Sequence, residues 1–289
     1  QFHPPLRKFT TPKTAHQYFL NEAVMQQAKI FTLLLFTVLL SFAPLRAQDF
    51  PYSLDPGREL SLLGLGGGLS ITGHAIEAQM EGLDQESLSA RFSRDIFLLD
   101  RAAIRQRSEP YRNLSDRLLQ GSLLLPATLM ATKPARSKPL LIGLMAVETG
   151  LLTEGSTKLL KVIFRRRRPL TYNPDFPLGE KLDNNALQSF PSGHTSNTAA
   201  LSFFTAKVFH DLHPESPLRP YVWVAAGAIP ALTGYARYRA GKHFPTDILV
   251  GYALGAAIGI MVPEWHKHGK AKKLRILTTE EGIGLVYRW

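Results

Sequence analysis

The 289-residue chain has no cysteine. Neither a disulfide framework nor a thiolate metal site is therefore open to it, and cysteine pairing says nothing about its compartment. It also lacks an internal repeat, a low-complexity block, a recognisable nucleic-acid-binding module and an evident carboxylate cluster for two metal ions. Acidic residues are the scarcer charge, with 23 Asp and Glu against 34 Lys and Arg. Such a surplus of cations suits anionic partners. Without a nucleic-acid module, those are an anionic membrane surface or a phosphorylated substrate, and no nucleic-acid partner is expected.

What is present begins with an unusual N-terminus. Residues 1–24 are polar and mixed, whereas Met25 to Lys29 form a short basic start to an apolar run over 30–43, followed by a small residue at Ala47. The pattern predicts an export signal with translation starting at Met25, and residues 1–24 read as an upstream extension. The run is slightly short for an anchor helix. The chain divides into 1–24, a signal peptide or anchor over 25–47, an N-terminal helical region over 48–113, a core over 114–265 and a basic tail over 266–289. Residues 282–289 alternate like a strand.

Four mainly apolar stretches, 118–131, 140–163, 221–235 and 248–262, approach the roughly 20 residues that cross a bilayer. They predict an all-α, multi-span membrane helical bundle, with a soluble helical core as the competing reading. Tyr221, Trp223 and Trp265 stand near span ends, as in an interfacial aromatic belt. A fifth stretch, 62–76, carries five glycines and His74, which makes it a poor lone span.

Three clusters interrupt this apolar frame. Lys161 and Arg168 are seven residues apart, two helical turns, so they project from one face before Pro169 stops the helix, and two such cations can grip one dianion. In Pro191-Ser192-Gly193-His194, Ser192 is a good N-cap for an apolar helix whose first amides and dipole favour an anion. Arg237, His243, Pro245 and Asp247 form the third. Pro245 suits a first helical turn, and from there Asp247 can accept the Nδ1 proton of His243, leaving Nε2 as a nucleophile. Arg165, Arg166, Arg167, Arg239 and Lys242 read mostly as solvated flanking charges.

Taken in order and at these spacings, the three clusters resemble the signature of the type 2 phosphatidic acid phosphatase superfamily, which includes lipid phosphate phosphatases, soluble bacterial acid phosphatases and vanadium-dependent haloperoxidases. The resemblance covers residues 114–265 and departs at Ala236, where a serine usually precedes the arginine. It implies a metal-independent lipid phosphatase without cofactor, acting through a phosphohistidine. Lys161, Arg168, Ser192, Gly193 and Arg237 would hold the phosphate. His243 would attack, Asp247 would orient it, and His194 would protonate the leaving oxygen and then activate water.

The implied substrate is a lipid-linked phosphate or diphosphate among membrane lipids, and oligomeric state is not encoded in these motifs. The alternatives are a soluble exported acid phosphatase and a haloperoxidase. If 118–131 enters and 140–163 returns, basic residues at 133–138, 207–219 and 267–275 fall on the cytoplasmic side. The site of this bacterial-type inner-membrane protein then faces the periplasm or exterior. A crossing by 62–76 after an exported start would reverse that.

Overall fold

The computed structural model describes residues 50–89 and 96–267, together with the backbone of 274–279 and 282–287. The expected extension and export signal, 1–47, lie outside the described residues. Six long helices dominate: α1 (Pro56–Ala78), α2 (Glu109–Ser122), α3 (Pro139–Phe164), α4 (Gly193–Leu212), α5 (Arg219–Arg239) and α6 (Pro245–His266). In five of them a proline occupies the first or second helical position, where its fixed φ favours the turn and its missing N–H costs nothing, so these starts are written into the sequence. In α1 the Asp55 carboxylate also accepts the Arg58 amide at 2.9 Å.

α4 lies centrally, packed against α2, α3, α5 and α6. Successive helices reverse direction. The start of α1 meets the end of α6, where Ser53 N donates to His266 O at 2.9 Å. The end of α1 meets the loop before α4, where Asn184 donates to Met80 O at 3.1 Å. The main apolar cluster, with Tyr52, Ile142, Met145, Phe204, Val208 and Val262, fills the first of these ends, while smaller clusters around Phe244 and Phe176 flank the polar groups of the second.

Two helix contacts are set by glycine. On α6, Gly251, Gly255 and Gly259 recur every four residues and face α4. A Cβ on Gly251 would stand 2.6 Å from the Ser192 carbonyl, and Cβ atoms on Gly255 and Gly259 would overlap the carbonyls of Ser196 and Ala200. Between α1 and α3, a Cβ on Gly155 would lie 2.5 Å from Gly66 O. Two of the glycines that make 62–76 weak as a solitary span, Gly66 and Gly73, therefore seat α1 against α3.

Several expectations change. Residues 118–131 are not one span: α2 ends at Ser122, and a one-turn helix (Leu125–Thr128) and a 3-10 turn (Leu129–Ala131) follow. Pro126 sits where a continuous helix would need its amide. The stretch still travels from the polar end to the apolar cluster, where Leu129 is buried. The all-α description gains an exception, because Leu274–Thr279 and Gly282–Tyr287 pair as an antiparallel hairpin, β1 and β2. Among the described residues one helix, Pro245–His266, is long and apolar enough by composition alone to cross a membrane.

Candidate active site

The site is built where α3 ends, α4 and α6 begin and α5 ends. Lys161 lies in the last turn of α3, but the helix stops at Phe164 because Arg165 adopts the left-handed region, φ 44°, and its amide caps Lys161 O at 3.0 Å. Lys161 and Arg168 thus converge through a loop rather than along a helical face. The Arg168 guanidinium is fixed by Asn185 O at 2.8 Å and Lys242 O at 3.2 Å, and Lys161 Nζ donates to Gln188 O at 2.7 Å.

Gly193 and His194 open α4, with Ser192 in the N-cap position. The Ser192 hydroxyl does not cap the helix. It is buried and pairs with Thr195 Oγ1 at 2.9 Å. Arg237 comes from the last turn of α5, and His243 from the loop joining α5 to α6. A cavity of about 290 Å³ is lined by Lys161, Arg168, Gly193, His194, Arg237 and His243, six of the eight residues singled out from sequence. Ser192 and Asp247 stand behind this wall. A second opening, of about 580 Å³, reaches Arg168, His194 and Arg237 from the side of Asp116, Glu180 and Lys242.

The His243 ring is completely specified. Nδ1 lies 2.7 Å from Ser189 O, an acceptor only, so Nδ1 carries the proton. Nε2 keeps its lone pair and accepts from Arg168 Nη1 at 3.1 Å. Burial, and after it the charges of Arg168, Lys161 and Arg237, hold this imidazole well below its ordinary pKa, so it is neutral. Burial lowers Arg168 to about 10, which leaves it a cation at neutral pH.

The expected hydrogen bond from His243 to Asp247 is replaced by the Ser189 carbonyl, with Asp247 Oδ2 at 3.8 Å from Nδ1. The Asp247 carboxylate instead accepts from Ser189 Oγ at 2.6 Å, from Phe244 N at 2.9 Å and from Arg166. Arg166, read from sequence as a flanking charge, bridges Asp247 to the fully buried Asp100 at 2.7 Å and lies over the Phe244 ring. Asp100 in turn accepts from Thr246 N at 3.1 Å and Thr246 Oγ1 at 2.7 Å.

Asp116 on α2 was also missed. Its Oδ1 lies 2.8 Å from His194 Nε2 and 3.3 Å from Arg237 Nη1. Asp100 and Asp116 are 147 and 78 residues from the groups they serve, Asp247 and His194, and no local spacing signals such pairs.

Residues 140–270 match the family model of the PAP2 superfamily. This segment, a little under half of the chain, is similar to the PAP2 superfamily. It holds all eight singled-out residues, whereas Asp100 and Asp116 precede it. Among curated proteins, the chain is similar to a lipid A 4'-phosphatase of Porphyromonas gingivalis, 28% identical over 145 residues, covering 49% of this chain and 58% of that protein. It is also similar to phosphatidylglycerophosphatase B of Bacillus subtilis, 32% identical over 129 residues, covering 43% and 59%. The chain thus spans less than three-fifths of either relative. A crystal structure of a transmembrane PAP2 type phosphatidylglycerolphosphate phosphatase from Bacillus subtilis aligns with TM-score 0.45 at 23% identity, covering 73% of this chain and 99% of that one.

Proposed function

We propose that the chain hydrolyses a phosphate or diphosphate carried by a membrane lipid, through a phosphohistidine on His243. The observation that carries this reading is the Nε2 lone pair of a neutral histidine, with its tautomer set by Ser189 O, inside a cavity walled by Lys161, Arg168 and Arg237. Three cations and the first amides of α4 suit the three non-bridging oxygens of a phosphoryl group. Nε2 attacks phosphorus while His194 protonates the departing oxygen. His194 then takes a proton from water as that water cleaves the N–P bond and frees phosphate. Asp116 holds His194 in place, and Asp247 acts on His243 through Ser189 and the start of α6.

The lipid part of the reading rests on where apolar and charged groups lie. Leu65 and Ile71 on α1, Val224 on α5 and Leu249 and Met261 on α6 are exposed, whereas Glu148 and Lys161 of α3 are buried. Apolar surface outside and charge inside is the arrangement a bilayer requires, and averaged hydropathy overlooks it. Tyr221 and Trp265 are both exposed at the end away from the site, a natural interfacial level. This favours a membrane enzyme over a soluble acid phosphatase. Lipid A and phosphatidylglycerophosphate, named for the relatives, are the first substrates to try.

Residues 50 and 267 lie together at the end of the six long helices opposite the site. That end also carries Lys133, Arg136, Lys138 and Arg219, so the positive-inside bias puts the site on the outer face. An exported segment ending near residue 48 would put it inside, and we favour the loop charges.

The test is phosphate release from a panel of lipid phosphates and a soluble ester by detergent-purified protein, beside His243→Ala. Brief incubation with labelled substrate and alkaline quenching should trap an N-linked phosphoprotein in the parent alone. Release by the variant at the parental rate would overturn the reading.

A further inference from the structure

At the end of the bundle opposite the catalytic cavity, Glu59 of α1, Glu148 of α3 and His266 of α6 meet, each with no exposed surface. Their ligand atoms all lie within 4.8 Å of one another. His266 Nε2 is 2.7 Å from Glu59 Oε2 and 3.1 Å from Glu148 Oε2. Along α6, 19 residues or roughly 30 Å separate this cluster from Asp247.

We propose that these three side chains form a divalent-cation site that clasps the first, third and last long helices. Two features beyond proximity point to a ligand. Glu148 is fully buried, and although Oε2 lies 3.1 Å from His266 Nε2, neither carboxylate oxygen has a well-aligned hydrogen bond, a condition costly enough to call for a compensating group. The single Nε2 proton that a charged His266 would offer can serve one carboxylate well, and Glu59 is the nearer. Further, each of the other two donors is braced from behind. His266 Nδ1 donates to Val262 O at 2.8 Å, which orients Nε2 toward the carboxylates, where an ion would take the place of the Nε2 proton. Glu59 Oε1 accepts from Asp55 N at 2.9 Å and from Arg58 at 2.6 Å, which leaves Oε2 for the cluster. Backbone and side-chain bonds of this kind orient the ligands of metal centres.

Two carboxylates and one imidazole suit Zn²⁺, a borderline ion that takes both oxygen and imidazole nitrogen, better than the hard Mg²⁺, and the oxygen-rich set makes Mn²⁺ the second ion to try. The chemistry at the far end needs no such ion, so its role is to tie helices together: it would join α6, which carries Asp247, to α1 and α3.

The experiment uses untagged, detergent-purified protein prepared without chelator, and reads metal content by plasma mass spectrometry. Thermal unfolding is then measured in EDTA and with added Zn²⁺ or Mn²⁺. About one ion per chain is expected, with Tm higher by roughly 5–10 °C when the ion is present. Glu148→Gln, which keeps the side-chain volume, should lose both the ion and the Tm response while still releasing phosphate at 25 °C. Wild-type protein without bound metal and with no Tm response to either ion would overturn the proposal, whether or not the variant folds. Metal retained at full occupancy in Glu148→Gln would also overturn it. Phosphate release reports separately on the catalytic reading, so the two can fail independently.

Discussion

His243 is held by Ser189, not by Asp247: Nδ1 stands 2.7 Å from the Ser189 carbonyl and 3.8 Å from the Asp247 carboxylate. The two residues are nevertheless linked, because Ser189 Oγ donates to Asp247 Oδ2 at 2.6 Å. The serine is thus the joint between the nucleophile and the acid on the next helix.

This makes Asp247 a positioning residue whose loss differs from loss of the nucleophile. Asp247→Asn should leave Nδ1 protonated and donating to Ser189 O, so kcat should fall by about 10²-fold with KM nearly unchanged. His243→Ala should abolish the phosphoenzyme altogether. The same Asp247→Asn change also strips Arg166 of one of its two carboxylates and should lower Tm, because the buried Asp100–Arg166 pair loses its partner. Rapid-quench kinetics alongside thermal melts separate these effects. Equal losses in both variants would show Asp247 to be part of the chemistry itself.

The pH profile follows from the neutral state of His243. Its pKa is depressed by burial and by three nearby cations, so the nucleophile stays unprotonated below the ordinary histidine value of about 6.5. After correction for ionisation of the substrate and of His194, the acid limb of kcat/KM that reports protonation of His243 should appear only well below pH 6.5. Arg168→Gln should move that limb upward. Stability has the same sign. The unfolded chain takes up the proton near 6.5 and the folded chain does not, so this contribution is complete above that pH and is lost as pH falls.

Asp116 contacts His194 from a helix outside the matched domain. As the orienter of a general acid, it should matter most when the leaving oxygen is basic. Asp116→Asn should slow an alkyl phosphate by about 10-fold or more and leave an aryl ester with an acidic leaving group within about twofold. Side-by-side kcat values on the two esters decide it. An equal loss on both would assign Asp116 to the Arg237 phosphate grip instead, since it lies 3.3 Å from that guanidinium.

What could be read in the sequence was local. Prolines mark five helix starts, and Lys161, Arg168, Gly193, His194, Arg237 and His243 fall within short motifs that the fold brings to one cavity. What escaped depends on partners distant along the chain. Arg166 reads as a surface charge until Asp100 and Asp247 flank it, and Gly66 and Gly73 read as helix weakness until α3 lies against them. The face shared by Lys161 and Arg168 failed for a local reason, the left-handed Arg165, which is uncommon for a non-glycine residue and has no sequence signature.

Because the chain has no cysteine, its orientation can be measured with single introduced thiols and no background. Asp175 is exposed in the loop between α3 and α4 at the catalytic end, and Ser137 is exposed before α3 at the opposite end. In the proposed arrangement, with each long helix crossing the bilayer, the two lie on opposite sides, and the positive-inside bias of the cations at 133, 136 and 138 predicts a cytoplasmic Ser137. In intact cells a membrane-impermeant maleimide should therefore label Asp175→Cys and spare Ser137→Cys until the cells are lysed. The reverse pattern would place the catalytic cavity inside, as an exported segment before residue 48 requires. Labelling of both before lysis would mean that the segment from α2 to α3 does not make the two crossings assigned to it, and the count of six would fall with the orientation.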